Sequence, residues 1–176
     1  MKTGVITVIE GEGITRTVLS LQFVYKGSKV SGEYGCFLSS SKTLEEIRDV
    51  MDHYGMPSED MKSSPSIVML DVGNLEKINF QTNGEALHLE TLLPIIEAIY
   101  NDIKFTRLVV DGFDLLSKND AGNVRKNIER FSNFARMNGI NVLLTVGFDS
   151  ENTYLLELCD NFITIKRGYP PKILFS

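Results

Sequence analysis

Short apolar runs alternate with amphipathic stretches along the whole chain. The apolar runs are rich in β-branched residues, as expected of strands that are buried on both faces of a sheet. Strands are therefore predicted at residues 5–9, 34–39, 66–72, 105–111 and 140–146. The stretches between and after them place apolar residues at helical spacing. This spacing predicts helices at residues 17–25, 43–53, 85–100, 124–135 and 151–158.

Turn-forming residues divide these elements. Gly27 is predicted to end the first helix, and residues 73–84 read as a surface loop or a short hairpin. Residues 162–165 and 172–175 are predicted to form an antiparallel pair around a turn at residues 168–171.

The order of the elements predicts an α/β fold. Strands that alternate with helices imply a mostly parallel central sheet with helices on both faces, here with an antiparallel C-terminal edge. A chain of 176 residues suits one domain, so residues 1–176 are expected to fold as a single unit.

The second helix carries a clear start signal. Thr43 and Glu46 have the spacing of a capping box, in which the threonine hydroxyl accepts from the backbone of Glu46 and the glutamate reaches back. This pattern predicts that the helix begins directly after Thr43.

The charge of the chain narrows the partner classes. The formal net charge is −5 and the pI is about 5.1, which disfavours binding to nucleic acid because phosphate neutralisation needs a basic surface. The densest basic cluster lies on a predicted helix that also carries Glu129, so we interpret it as a solvated face. Its members are Arg125, Lys126, Arg130 and Arg136.

The remaining chemistry-bearing residues are isolated. Cys36 and Cys159 have no histidine or cysteine at metal spacing and lie in apolar contexts, so buried free thiols are expected. Free cysteines are typical of proteins in a reducing compartment. No apolar run in the sequence reaches membrane-spanning length. The sequence therefore predicts a cytoplasmic protein without a membrane partner.

From the first strand onwards, several segments resemble those of a known protein family. Residues 8–27 resemble the Walker A region of the KaiC-like branch of the RecA superfamily, and Arg107-Leu108-Val109-Val110-Asp111 resembles its Walker B strand. Further similar segments follow in the same order, at residues 32–37, 54–56, 139–145 and 159–163. The resemblance implies a RecA-like P-loop fold, with ATP and Mg²⁺ as the ligands of its active members.

The Walker A match departs from the pattern that binds phosphate. A working loop reads G-x-x-x-x-G-K-[ST], in which backbone amides cradle phosphate, the lysine reaches the outer phosphates and the hydroxyl binds Mg²⁺. Thr15 stands in place of the last glycine, Arg16 stands in place of the lysine, and counting from Gly11 the loop is one residue short. Glu10 and Glu12 add negative charge beside a site for a polyanion. Of the last three positions of the motif, only the final one, Thr17, holds a residue of the expected type.

The catalytic positions depart as well. The resemblance implies a pair of glutamates after the second strand that activates the attacking water, and here that pair falls on Ser41 and Lys42. Asp111 is retained. It could hold Mg²⁺ through water, or it could cap the turn at Gly112, and the sequence leaves both interpretations open. Asp114 is expected to be another turn residue.

Two functions follow as hypotheses. The first is a catalytically inactive KaiC-like homologue that serves as a regulatory or scaffolding protein, in archaeal signalling or assembly, through self-association or active KaiC-like partners. The second is a divergent nucleotide-binding switch or weak ATPase that keeps Arg16, Thr17 and Asp111 and binds ATP and Mg²⁺. No cofactor is expected under the first hypothesis. Any residual ligand site should lie at the carboxyl ends of the first and fourth strands. Its residues would be Gly11, Gly13, Thr15, Arg16, Thr17 and Asp111.

Overall fold

The computed structural model describes residues 4–60, 66–73, 89–118, 123–148 and 153–166. Six strands form one sheet, and every pair of neighbouring strands for which a register is defined is parallel. The strands are β1 (Ile6–Gly11), β2 (Gly35–Ser39), β3 (Ile67–Asp71), β4 (Arg107–Asp111), β5 (Asn141–Val146) and β6 (Asn161–Ile165). Their order across the sheet is β3-β2-β4-β5-β1-β6.

Six helices connect or flank these strands in the described ranges. They are α1 (Gly13–Ser31), α2 (Leu44–His53), α3 (Leu89–Ile103), α4 (Phe113–Lys118), α5 (Val124–Met137) and α6 (Thr153–Leu158). None of the described helices has the length and apolar character needed to cross a membrane.

Side chains that alternate along each strand supply two cores. In β4, Leu108 and Val110 pack in the cluster that includes α3, α5 and α6, whereas Val109 packs in the cluster of α1 and α2. The same alternation separates Val8 from Ile9 in β1. A sheet with an apolar cluster on each face must be covered by helices on both sides, so the predicted doubly covered α/β architecture is confirmed.

The structure describes one strand of the predicted C-terminal pair. β6 runs parallel to β1, with Val8 opposite Phe162 and Gly11 opposite Ile165. The expected antiparallel partner at residues 172–175 lies outside the described residues, as do most of the expected loop at 73–84 and the start of the helix predicted at 85–100.

The capping box of α2 is present as predicted. Glu46 donates its backbone N–H to Thr43 Oγ1 over 3.3 Å, and Thr43 donates its own N–H to Glu46 Oε2 over 2.8 Å. These bonds hold the pKa of the Glu46 carboxyl below its usual value, with the Thr43 backbone bond the largest cause.

The first helix is longer than its pattern predicts. α1 continues through Gly27 to Ser31, and the backbone N–H of Gly32 closes it by donating to the Gly27 carbonyl. Gly27 is needed inside the helix because Arg107 crosses it: a Cβ at position 27 would lie 2.3 Å from Arg107 Nε. Arg107 bonds Glu33 and donates to the Phe23 carbonyl over 2.9 Å, so it ties the end of α1 to the start of β4.

Gly27→Ala is therefore expected to destabilise the protein. Alanine is normally favoured over glycine inside a helix by about 1 kcal/mol, but here the added methyl displaces Arg107 from its partners, and we expect a net loss of about 1–2 kcal/mol. Urea unfolding followed by circular dichroism measures the change. In an Arg107→Ala background the same substitution should be neutral or stabilising. A loss of equal size in both backgrounds would contradict this explanation.

Candidate functional site at the carboxyl edge of the sheet

The connection between β1 and α1 is a single residue. β1 ends at Gly11, Glu12 follows with an extended backbone, and α1 begins at Gly13. The chain turns this sharply because Gly13 adopts a φ of 49°, a left-handed value that few other residues tolerate. Thr15 and Thr17 consequently lie inside the first turns of α1. No extended glycine-rich loop separates strand from helix at this point.

Asp111 lies at the centre of the edge and is fully buried. Thr17 donates its hydroxyl to Asp111 Oδ2 over 3.0 Å, and Thr145 donates its hydroxyl to Asp111 Oδ1 over 2.6 Å. The N–H of Gly112 is bonded to Thr145 Oγ1 over 2.9 Å. Asp111 therefore joins α1, β4 and β5 through its side chain. The Thr145 hydroxyl, and not the Asp111 carboxylate, takes the N–H of Gly112.

The segment after β2 packs closely against the same corner. Ser39 is the register partner of Asp111, and the Ser40 N–H donates to the Asp111 carbonyl over 3.0 Å. Ser40 Oγ also donates to the Gly112 carbonyl over 2.6 Å, and a Cβ at Gly112 would lie 2.5 Å from that hydroxyl. Glycine is thus required at position 112 for this approach.

The close packing of this segment directs Lys42 towards Asp111. The Lys42 N–H donates to Ser39 Oγ over 3.0 Å, which folds the backbone back over the end of β2. Lys42 Nζ then lies 3.7 Å from Asp111 Oδ2 and 3.4 Å from Ser41 Oγ. Its side chain is 22% exposed, so the ammonium reaches from the surface to a buried carboxylate.

Arg16 points to a different part of the edge. Its Nη1 lies 4.0 Å from Asp114 Oδ1, and a Cβ at Gly147 would lie 3.5 Å from the same nitrogen. The Arg16 side chain is 12% exposed, and its Nε and Nη1 have no hydrogen-bond partner among the residues that the structure describes. The guanidinium is thus turned towards α4 and the end of β5. Asp114, expected in a turn, is instead the second residue of α4, a helix that the sequence pattern did not indicate.

A cleft of about 380 Å³ opens on the other side of the β1–α1 connection. It is lined by Glu12, Gly13, Ile14, Thr15, Ile165 and Lys166. Glu10 lies within β1, where its carboxylate accepts from the Thr164 hydroxyl over 3.2 Å, and Gly11 approaches Ile165.

Gly11 ends β1 opposite Ile165, and the structure divides the other five predicted site residues among three places. Gly13 and Thr15 line the cleft, Thr17 and Asp111 bond to each other in the interior, and Arg16 lies against Asp114. The structure brings Thr17 and Asp111 within hydrogen-bond distance of each other. The other predicted residues do not converge on one ligand position.

These residues do not fit a magnesium nucleotide held as in a P-loop. A P-loop cradle uses consecutive backbone amides of an extended loop, and here one residue spans the gap. Thr17 gives its hydroxyl hydrogen to Asp111, and a lysine ammonium lies beside the same carboxylate oxygen. The carboxylate that would hold Mg²⁺ is thus already paired with a cation of the chain itself.

Two residues of this cluster, Thr145 and Lys42, are not among the predicted site residues. Thr145 lies near the carboxyl end of β5, where it interrupts an apolar run. A hydroxyl at this position, beside a strand that ends in Asp111, is the signal that could have identified it. Lys42 stands at a position where the resemblance implies a glutamate, and nothing in its sequence context indicates that its ammonium reaches Asp111.

Other predicted features lie away from the edge. In the basic cluster of α5, Arg125 lies beside Glu129 and Glu157, and Arg136 lies beside Asp160, as in a solvated ion-paired face. Burial raises the pKa of the Cys36 thiol to about 12, so this cysteine is an unreactive part of the core.

Known proteins match this chain in two ways. The family described as "ATPase: KaiC" matches residues 1–167. The solved structure of a KaiC-like protein from the hyperthermophilic archaeon Pyrococcus horikoshii OT3 aligns with a TM-score of 0.65 at 21% identity. That alignment covers 82% of this chain and 62% of the archaeal protein, so this chain spans less than two thirds of the length of its structural relative. Among curated proteins, none matches. The match to the family over nearly the whole chain, on a parallel sheet with the RecA-like arrangement, shows that this chain belongs to the KaiC family of ATPases.

Proposed function

We propose that this chain is a catalytically inactive member of the KaiC family that acts as a regulatory or scaffolding protein through contacts with other proteins. The observation that carries the proposal is the single-residue connection between β1 and α1. A phosphate cradle cannot form from one extended residue, because several successive amides must point at the same anion.

The positions of the two nearby cations support the same conclusion. Arg16 is paired with Asp114, and Lys42 is paired with Asp111, so each would have to leave a carboxylate to reach a phosphate.

The position expected for water activation supports inactivity as well. It holds Ser41 and Lys42, whose side chains lie within hydrogen-bond distance of each other. An ammonium group has no lone pair with which to take a proton from water, and a serine hydroxyl is a poor base at neutral pH.

Purified protein is expected to release no phosphate from ATP above the background rate, with or without Mg²⁺. A phosphate-release assay measures this, with an Asp111→Asn preparation purified in parallel to reveal contaminating ATPases. Turnover in the unmodified protein that disappears in Asp111→Asn would overturn the proposed inactivity.

Exposed apolar side chains at the same edge suggest where partners bind. Ile14, Leu115 and Phe148 follow the carboxyl ends of β1, β4 and β5, which are adjacent in the sheet. They are 46%, 42% and 46% exposed, and we call them the apolar rim. Single exposed apolar residues are common, but three grouped at the ends of neighbouring strands are typical of a contact surface. The partner we propose is a second subunit of the KaiC family, either another copy of this chain or an active relative.

The double substitution Leu115→Ser/Phe148→Ser should weaken this association. Light scattering after size-exclusion chromatography, over a range of concentrations, measures self-association, and the same column tests mixtures with an active relative from the same cell. Met137→Ser is the matched control, since Met137 is 86% exposed at the end of α5 and lies outside the rim. The proposal would be contradicted if the protein is a monomer at every concentration and also does not bind the active relative. It would also be contradicted if Met137→Ser weakens association as much as the double substitution does.

The cleft at the amino end of α1 favours a second candidate, a nucleotide-dependent switch. A phosphate there could meet the first amides of α1 and Lys166, although Glu12 lies in the same cleft. Thermal melts with ATP separate the two candidates, because ligand at a hundred times its dissociation constant adds about 2.7 kcal/mol of stability. A shift that is lost in Lys166→Gln would favour the switch, and no shift at millimolar ATP would favour the scaffold.

A further inference from the structure

We infer that the ammonium group of Lys42 is a tethered cation that takes the place of a divalent metal ion beside Asp111. Lys42 Nζ lies 3.7 Å from Asp111 Oδ2, the same oxygen that accepts from Thr17. The two side chains on which a magnesium site would depend are therefore closed over by a positive charge that belongs to the chain itself.

The electrostatics of the cluster require a counter-charge at this point. Asp111 is fully buried and is bonded to two neutral hydroxyls, those of Thr17 and Thr145. Two neutral donors leave the net charge of the carboxylate in place, and a buried carboxylate needs a cation nearby. Lys42 is the described cation within ion-pair distance of Asp111, and Ser41 Oγ at 3.4 Å orients its ammonium further.

The backbone brings Lys42 to this position independently of any ligand. Ser39 lies opposite Asp111 in the register of β2 and β4, and its hydroxyl accepts from the Lys42 N–H. A short turn that begins at Ser39, the strand partner of Asp111, therefore positions the ammonium of Lys42. A lysine on a long mobile loop would have to be ordered first, at an entropic cost that this turn avoids.

The same geometry disfavours a metal ion. Magnesium takes oxygen ligands at about 2.0–2.1 Å in an octahedral arrangement, so at Asp111 Oδ2 it would lie within a few ångströms of the lysine ammonium. The repulsion between the two cations would oppose its entry. The lysine has to be removed before a dication can bind there.

This inference deepens the proposed loss of hydrolysis, and it is tested by metal binding alone, without any assay of turnover or association. The probe is Mn²⁺, whose free form is counted by its electron paramagnetic resonance signal. We expect the unmodified protein to leave the Mn²⁺ signal unchanged at protein concentrations where Lys42→Met binds one equivalent. Removing the repelling charge should tighten Mn²⁺ binding at least about tenfold.

Thermal melts give an independent reading of the same variants. Lys42→Met should melt several degrees below the unmodified protein in chelator, and Mn²⁺ should restore much of the difference. Lys29→Met is the matched control, because Lys29 forms an ion pair with Asp60 over 2.9 Å at a surface site, 43% exposed, and Mn²⁺ should not rescue its loss. In Lys42→Met/Asp111→Asn both the destabilisation by the unpaired carboxylate and the rescue by Mn²⁺ should disappear.

Two results would overturn the inference. One is stoichiometric Mn²⁺ binding by the unmodified protein that Asp111→Asn abolishes, a measurement that holds even where Lys42→Met does not fold. The other is a folded Lys42→Met protein whose melting temperature and Mn²⁺ binding match those of the unmodified protein. In either case the absence of ATP hydrolysis would still stand or fall by the phosphate-release assay.

Discussion

Asp111→Ala should lower the free energy of unfolding by about 2–4 kcal/mol, because a buried hub is removed and its partners are left without it. The hydroxyls of Thr17 and Thr145 lose the carboxylate to which they donate, over 3.0 and 2.6 Å, and Lys42 loses its counter-charge. Lys42 is 22% exposed and can turn to water, so the cost stays below that of a fully buried ion pair that is broken. The chain has no tryptophan whose fluorescence could report unfolding. Urea unfolding followed by far-ultraviolet circular dichroism therefore measures the change in the free energy of unfolding.

Asp102→Ala serves as the control for the loss of an acidic residue. Asp102 is exposed near the end of α3, where substitution should change stability by less than about 0.5 kcal/mol. Equal, small effects of the two substitutions would show that Asp111 is not a structural hub. The comparison separates a carboxylate kept for ligand binding, whose removal often costs little stability, from one kept for the fold.

The strands could be predicted because the sheet imposes a simple requirement on them. β4 and β5 are covered on both faces, so they need unbroken apolar runs, and such runs are visible without any knowledge of their partners. Helix ends were less predictable. Gly27 looks like a stop signal in sequence, yet it lies inside α1 because Arg107, far along the chain, needs the space over its backbone. α4 was missed because its six residues are too few to show a helical period.

The site shows the same division between local and long-range information. The sequence placed Thr17 and Asp111 at the same edge because each belongs to a connection at the carboxyl end of a parallel strand, and in the structure they lie 3.0 Å apart. The directions of Arg16 and Lys42 could not be predicted. Each is a long, flexible side chain whose direction depends on which carboxylate lies within its reach in the folded chain. For Arg16 that depends on the position of α4, and for Lys42 on the turn after β2. The sequence could therefore indicate that the residues of this edge depart from the P-loop pattern, but not which contacts their side chains make.

Phe113→Ala should be among the most destabilising single substitutions in the chain, because Phe113 connects this edge to the core. It is the first residue of α4, directly after the Asp111–Gly112 corner, and its ring is fully buried in the larger apolar cluster. Truncating a buried phenylalanine costs about 3–5 kcal/mol, which corresponds to a fall in melting temperature of about 6–20 °C for a chain of this size. Leu115→Ala is the matched control on the same helix, since Leu115 is 42% exposed and should change the melting temperature by about 2 °C or less. Differential scanning calorimetry of both variants decides the matter. A loss at Leu115 as large as that at Phe113 would mean that α4 is held by its outer face, through the apolar rim, and not by the core beneath it.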